Sequence, residues 1–497
     1  DVLAFQNQDQ TDQNIFDRIS SLNQKLESLR GDIDSLELSI KSIDENQLNE
    51  KEKKYYTYFK ENADSIKKYY NSSVEITELL PSFLGENLDK KYLVLFQNNT
   101  ELRPTGGFIG SYGIVTLRDA KIKDIFVDSI YNPDGQLREK IEPPDPLKKI
   151  TDNLAMRDAN WNPSFPDSAR LITQLYEKEG GFTPDGVIAV DTNIFLDLLD
   201  ITGPIKLEKY DLEISKDNFI KTTQFKTSID YDQSENNPKK FLDDLAPILM
   251  DRVMKFDKQQ QAKALSAFAK NIIEKHIQFY SFNEKMQSIF SNMDIAGEIK
   301  SQPERSDYFY YVNSNVGGLK TNDKINEFIS HNLNIDSNGF IIHEVTIKRV
   351  HTGTYDWPSG TNFSYVRFYV PDGSIVLNVE NLEKTDAIKR DDNIGMLYLE
   401  DKANKYPGKA TIEDLDISKE HGKTVIGSWQ VIKPGEEQTI KIAYRTPLKL
   451  NGSRYDLFIQ KQPGIISQNS KINFQNGSKL ESKEVDIRKD VLISIDF

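Results

Sequence analysis

The chain opens on its most regular pattern of apolar and polar positions. Ile15, Ile19, Leu22, Leu26, Leu29, Ile33, Leu36, Ile40 and Ile43 recur at alternating spacings of four and three. This is an unbroken heptad seam, of the kind along which helices wind about each other. Tyr56, Phe59, Ala63, Ile66 and Tyr70 repeat the spacing after the polar stretch 44–50. Two arrangements bury such seams: an antiparallel hairpin within one chain, or a parallel oligomer built on the first seam alone. Gly31 costs the first helix about 1 kcal/mol against Ala without breaking the pattern. Pro81 and Gly85 mark the end of this helical, coiled-coil stalk.

From Lys90 the period changes. Residues 92–96 form a short apolar run, 110–117 alternate, and 122–130 are rich in β-branched residues, so three successive strands are predicted. Pro133, Pro143, Pro144 and Pro146 mark an exposed loop. A helix over 166–176, a strand over 186–190, a helix over 193–199 and a strand over 204–207 follow. This alternation favours an α/β layered domain. Residues 239–290 read as mostly helical, with Leu245, Ile248, Leu249, Val253 and Phe256 on one face. A further strand near 308–312 is expected to close that domain. After Gly339 the chain becomes strand and turn: 340–350, 364–370, 375–379, 424–431, 438–444 and 456–460 alternate or are β-branched. Pro371-Asp372-Gly373, Pro434-Gly435 and Asn451-Gly452 separate them, the punctuation of a β-sandwich. Trp357 and Trp429 read as its core or rim aromatics.

Composition narrows the chemistry. The 497 residues suffice for roughly three domains. Against 77 Asp and Glu stand 63 Lys and Arg, a net charge of −14. That balance argues against broad phosphate-backbone binding, so nucleic acid is not an expected partner. Without cysteine there is no disulfide framework, thiolate zinc site, iron–sulfur cluster or cysteine nucleophile. No window has the apolar length to span a bilayer. The start, Asp1-Val2-Leu3-Ala4-Phe5, lacks the basic residues and apolar run of a signal peptide. It reads like a chain that begins after a cleaved signal or a trimmed anchor. Asn-X-Ser/Thr sequons at Asn71, Asn98, Asn362, Asn451 and Asn476 carry little weight in so Asn-rich a chain.

Two stretches carry candidate chemistry. In residues 97–110, Gln-Asn-Asn-Thr-Glu-Leu-Arg-Pro-Thr-Gly-Gly-Phe-Ile-Gly, one arginine and three clustered glycines sit between two strands. Gly106 and Gly107 would let backbone amides approach a phosphate or diphosphate, with Arg103 supplying a bidentate fork. The same text also reads as a long hairpin whose glycines satisfy positive φ and whose arginine caps a carboxylate. Neither dinucleotide-binding nor Walker-type context is present. In residues 157–167, Ser164 or a neighbouring Asn is placed to cap the helix beginning near Pro166. That leaves Arg157, Asp158 and Trp161 as a charged pocket wall. Asp145, Asp152, Asp158 and Asp167 would offer oxygen ligands to Mg²⁺, or be solvated loop carboxylates. The histidines, at 276, 331, 343, 351 and 421, are scattered, with no HExxH and no GxSxG. Residues 313–322 form a second polar, glycine-bearing turn, a candidate to meet the first in space.

The blocks NNTELRPTGGFIGSYG, RDANWNPSFPDSA, PDGVIAVDTNIFLDLLDITGPI, YVNSNVGGLKTND and YDLFIQKQPG together resemble the bacterial envelope family of domain of unknown function 4012, over roughly residues 45–465. The resemblance implies a membrane segment before Asp1, a helical stalk, this core and a β-rich C-terminal part. The core in turn is distantly similar to the LytR-CpsA-Psr transferases, which attach lipid-linked glycopolymers to peptidoglycan. VIAVDTNIFLDLLDITGPIKL and LMDRVMKFDKQQQAKALSAFAKNII carry that likeness. Where those enzymes place a metal-binding Asp this chain has Asn98 and Asn99, and their charged Gly-Arg-Ser-Asp block becomes TGGFIG. Their arginine-rich stretch has no counterpart around 237–240. Arg103 is the positional match, with Arg157 and Asp158 as substitutes. A diphosphate-bearing lipid needs its charge neutralised for transfer.

The expected fold is a multi-domain α+β chain: a helical hairpin or coiled-coil stalk over 1–85, a transferase-like α/β layered core over 86–335, and a β-sandwich over 336–497. The expected function is that of a membrane-tethered bacterial cell-surface protein with a structural, adhesive, or glycan- or lipid-phosphate-binding role. The alternative is a glycopolymer phosphotransferase with Arg103, Arg157 and Asp158 as catalytic residues. Asn98, Asn99, Gly106, Gly107, Asn160 and Asp167 would contact the ligand. No cofactor is expected, save Mg²⁺ in the transferase. Expected partners are a cell-wall glycan or polyprenyl-phosphate lipid, the membrane through the missing segment, and a second copy through the stalk.

Overall fold

The computed structural model describes residues 14–230, 240–303, 306–391, 393, 395–400, 409–450, 454–476 and 479–496. The chain start, the stretch 237–239 and the turn Asn451-Gly452 lie outside them. Helices α1 (Ile15–Ser28) and α2 (Arg30–Ser42) follow one another through Leu29, and α3 (Glu50–Phe83) returns alongside them. Asn49 and Glu52 form a reciprocal capping box at the start of α3, whose side-chain oxygens accept from backbone amides that the helix leaves without an acceptor. The pairing is antiparallel and within the chain. Tyr70 donates to the Leu26 carbonyl at 2.9 Å, Thr77 to Asn23 Oδ1 at 2.9 Å, and Lys67 meets Asp34 at 3.5 Å. Ile19, Ile40 and Tyr70 are buried between the helices, whereas Leu22, Leu29 and Ile43 of the same seam are exposed. The C-terminal end of α3 is fastened to the next layer. The Phe83 ring lies 4.6 Å from that of Tyr92, whose hydroxyl donates to the Phe83 carbonyl at 2.6 Å.

Strands β1 (Lys90–Asn98), β2 (Phe108–Arg118) and β3 (Lys121–Ser129) are followed by the short α4 (Tyr131–Asp134), α5 (Phe165–Lys178), β4 (Gly186–Asp191) and α6 (Thr192–Thr202). Then come β5 (Ile205–Leu207), β6 (Leu212–Ile214), α7 (Phe219–Ser228), α8 (Lys240–Met254), α9 (Lys258–Ile273), β7 (Ile277–Ser281) and α10 (Glu284–Asn292). The main sheet runs β3-β2-β1-β4-β7, with β1 and β4 parallel and the other pairs antiparallel. Alternation divides its faces. Leu93, Leu95, Val187 and Ala189 pack on Phe165, Ala169 and Ile172 of α5. Phe96 and Phe279 turn the other way, toward Phe195 of α6 and Phe290 of α10. β7 interrupts a stretch read as helical. Only five residues long, it begins just past Lys275, whose φ of +62° ends the helical path. The predicted strand at 204–207 pairs with β6 in a separate small hairpin rather than joining this sheet.

The rest of the chain forms β8 (Asp307–Asn315), β9 (Ile325–Ile335), β10 (Phe340–His351), β11 (Asn362–Pro371), β12 (Ile375–Glu380), β13 (Ile388–Arg390), β14 (Leu397–Leu399), β15 (Asp416–Glu420), β16 (Lys423–Ile432), β17 (Glu437–Lys449), β18 (Arg454–Gln460), β19 (Gln468–Asn476), β20 (Lys479–Ile487) and β21 (Val491–Asp496). Among the described residues twelve of them make two six-stranded sheets, β12-β17-β10-β9-β19-β20 and β15-β16-β11-β8-β18-β21, and β13 and β14 pair with each other apart from both. Both contribute to one apolar core that includes Phe368, Ile347, Ile442 and Leu457. Trp429 is fully buried and Trp357 exposed. The strand expected to close the α/β layer is thus the centre of a sandwich sheet, and β9 also lies in the sandwich. All nine residues of β8 are buried. A strand covered on both faces reads as a continuous apolar run, which says nothing about the layer it joins.

Candidate functional site

The glycine-bearing turn between β1 and β2 is filled by side chains that converge on it from β1, β7 and the loop before α5. Gln97 accepts from the Gly107 amide at 3.1 Å and donates to Thr105 Oγ1 at 3.0 Å. Gln278, on β7, donates to the Thr105 carbonyl at 2.6 Å. Asn160 donates to the Gly107 carbonyl at 2.8 Å and to Thr105 Oγ1 at 3.1 Å. Gly106 has a φ of +136°, and a Cβ there would fall 2.4 Å from Gln97 Oε1. One on Gly107 would fall 2.3 Å from the Asn98 backbone. The glycines therefore serve close packing of the turn. Asn98 accepts from the Thr100 amide at 3.2 Å and hydroxyl at 2.8 Å. Asn99 accepts from the Thr192 hydroxyl and donates to the Gly464 carbonyl at 3.0 Å.

Arg103, Arg157 and Asp158 do come together, as a chain of ion pairs. Arg103 Nη2 lies 3.2 Å from Asp158 Oδ1 and 3.6 Å from Glu101. Asp158 Oδ2 lies 3.5 Å from Arg157 Nε, and Arg157 Nη1 reaches Asp134 Oδ2 at 2.8 Å. The Arg103 residue is 2% exposed, with its guanidinium over the Phe108 ring at 5.6 Å. A guanidinium so enclosed is neutralised by carboxylates of its own chain and presents no fork to an outside anion. Burial raises the Asp134 carboxyl above its usual range, and Arg157 opposes that shift. Glu179, buried near Asp134, is pushed up to about 8, chiefly by desolvation. The four aspartates offered for Mg²⁺ do not converge. Asp145 pairs with Lys148 at 2.7 Å, Asp167 with Arg170 at 2.6 Å and His421 at 3.3 Å, and Asp152 is exposed. Among the described residues no three acidic or histidine side chains are grouped to hold a metal. Asp167, expected to join the Arg103 site, pairs with Arg170 and His421.

The two polar turns singled out in the sequence meet. The Asn315 amide donates to the Leu102 carbonyl at 2.8 Å, and the Asn322 amide to the Thr100 carbonyl at 2.9 Å. Asn322 Oδ1 accepts from the Leu102 amide at 3.0 Å. A third segment, beyond β18, locks both. Gln462 donates to the Arg103 carbonyl at 3.1 Å and the Asn313 carbonyl at 2.7 Å. Gly464, at φ +82°, lies so close that a Cβ would sit 1.9 Å from the Gly106 carbonyl oxygen. Lys461 is buried, donating to the Glu274 carbonyl at 2.8 Å and the Gln462 carbonyl at 3.1 Å. Burial and the neighbouring Lys275 push its amine down to about 7. Lys275 pairs with Asp490 at 2.6 Å. Beside them Asp191 and His276 approach to 2.6 Å, with Asn193 at 2.8 Å. Sequence reasoning missed Gln97, Gln278, Lys461 and Gln462 as parts of this assembly. The one signal was the cluster of polar residues in Gln-Lys-Gln-Pro-Gly closing a strand.

Residues 87–227 match a family described as Protein of unknown function (DUF4012). The chain is similar to that family here. The matched segment runs from just before β1 to α7 and holds the glycine turn, the Arg103–Asp158 pair and Asn160. The glutamine and glycine that close the turn from the sandwich side lie beyond it. No curated protein matches the chain.

Proposed function

We propose that this chain is a non-catalytic, extracytoplasmic protein of the bacterial cell surface. It is tethered to the membrane by a segment preceding Asp1 and serves a structural, adhesive, or glycan- or lipid-phosphate-binding role. The localisation and tether follow from the family resemblance of its sequence blocks. The absence of catalysis rests on one observation: Arg103, the residue that would neutralise a transferred diphosphate, is buried against Asp158. For transfer, Arg103 would have to leave a low-dielectric ion pair, and separating such partners costs several kcal/mol. The finer likeness to LytR-CpsA-Psr transferases is read here as shared architecture without shared chemistry.

A direct assay decides between this reading and the glycopolymer phosphotransferase. The protein is incubated with a polyprenyl-diphosphate-linked glycan, peptidoglycan and Mg²⁺, and released polyprenyl phosphate is measured. No release above that of Arg103→Ala is expected. Turnover by the unaltered chain that disappears in Arg103→Ala would overturn the proposal.

A further inference from the structure

A chain of titratable side chains crosses the core of the sandwich. Asp307 of β8, His331 of β9, His343 of β10, Tyr444 of β17 and Tyr455 of β18 all lie buried there. His343 Nε2 lies 2.8 Å from Asp307 Oδ2, and the same oxygen accepts from the Tyr455 hydroxyl at 3.0 Å. On its other side, His343 Nδ1 meets His331 Nε2 at 2.7 Å and the Tyr444 hydroxyl at 3.0 Å. His331 ends the chain, its Nδ1 buried without a partner. The surroundings are apolar: the Phe309 ring lies 4.8 Å from that of His331, and Val345 and Ile472 flank His331 in the ladder. β9, β10 and β17 belong to one sheet, β8 and β18 to the other. The bond from His343 to Asp307 therefore joins the two sheets across the core.

We infer that this chain of side chains is a proton-sensitive fastener, which holds the two sheets together at neutral pH and releases them in mild acid while the α/β layers stay closed. The reason is a count of charges. Two imidazoles share one carboxylate. Among the described residues Asp307 pairs with no lysine or arginine, and its other oxygen accepts from the Tyr308 amide at 2.7 Å. Glu327 of β9 and Arg349 of β10 pair with each other at 3.3 Å and bring no net charge. Asp307 thus balances one imidazolium and no more. A second, on His331, would stand 2.7 Å from the first, with an Nδ1–H aimed at no acceptor in a medium that solvates neither ring. Burial, and after it His343, holds His331 well below the usual histidine range. In the unfolded chain the same ring takes up its proton at about pH 6.5. Below that pH the open form binds a proton that the closed sandwich refuses, so acid favours opening. The α/β layers respond with the opposite sign, since Glu179 already holds its proton there up to about pH 8. The inference stands apart from the proposed cell-surface role and does not depend on it.

The test uses the full chain. Amide hydrogen exchange is followed segment by segment, with each rate corrected for the intrinsic effect of pH on exchange. From about pH 7.5 to about pH 5, protection of β8, β10 and β18 is expected to fall about thirtyfold more in the unaltered chain than in His331→Phe. Protection of β1 and β4 is expected to hold in both. His331→Gln keeps a donor for His343 Nδ1 but cannot charge, so it is expected to match His331→Phe. It decides the matter should the phenylalanine variant fail to fold. The imidazole resonances of the unaltered chain give a reading that needs no variant to fold: His331 is expected to stay neutral for as long as β8 stays protected. An acid response equal in the unaltered chain and the variants overturns the proposal, as does one that begins in β1 and β4. A His331 ring that titrates near its ordinary value of about 6.5 with β8 still protected overturns it as well.

Discussion

The turn from Asn99 to Gly107 and the helical hairpin treat their side chains in opposite ways. The turn and the residues that close on it bury Arg103, Asp158, Asn160, Gln97, Gln278 and Gln462 together, tied by hydrogen bonds within the chain, although Arg103 Nε and Nη1 are left without a partner. The hairpin leaves leucines and aromatic rings outside. Charged residues in a loop ordinarily signal chemistry, and a heptad of leucines ordinarily signals a finished interior. Here the loop is the interior, and the heptad retains unburied apolar surface. The difference lies in thickness. The turn is enclosed by a sheet, by β7 and by the sandwich, whereas the arms of the hairpin pack chiefly on each other and leave Leu22, Leu29 and Ile43 exposed.

The sharpest way to break this comparison is at the buried pair. Asp158→Ala leaves Arg103 enclosed without its nearest carboxylate, and a loss of about 3–5 kcal/mol is expected in denaturant unfolding. A loss in the range of surface pairs, below about 1 kcal/mol, would show that water reaches the site.

A pH series sharpens the same contrast. The Glu179 carboxyl is raised from the usual 4.5 to about 8. Between those values the folded chain holds a proton that the unfolded chain has released, so stability falls as pH rises through that window. Glu179→Gln is expected to flatten the fall and to be the more stable protein above pH 8. Parallel stability–pH curves for the two proteins would refute the buried-acid assignment.

The smallest of these effects belongs to the hairpin. Ile19→Ala removes a side chain from its covered row, with an expected cost of about 2 kcal/mol. Hydrogen exchange should report it as faster exchange in α1 and α3, leaving β8 and β11 unchanged. Loss of protection in the sandwich would mean that the hairpin and the body unfold as one unit.

Much of the local structure was legible from the pattern of residues. β1 to β4, α5 and α6 fall within about three residues of their expected places, because period-two and period-3.6 burial are written locally. Arg103, Arg157, Asp158 and Asn160 were singled out, and the structure brings them together. That the arginine is sealed was not legible. Its carboxylate partner Asp158 lies 55 residues away, and its backbone carbonyl is held by Gln462, 359 residues away. β7 was missed since five residues inside a helical stretch carry too few repeats to reveal their period. β8 was recognised as a strand but assigned to the wrong layer, because a strand buried on both faces carries no alternation to orient it.

By itself the amino-acid sequence determined the helical arms and their seam, the strand-rich C-terminal part, the acidic charge and the exclusion of thiol chemistry. Each follows from neighbours a few residues apart or from composition. The tertiary structure alone decided that the arms fold back within one chain and that β8 belongs to the sandwich. It also decided that the glycine turn is a joint between layers whose arginine is already neutralised. The physical reason is common to all three. Burial and electrostatic pairing are set by what arrives from distant parts of the chain, and the same arginine is a ligand fork in water and a structural cation in the interior.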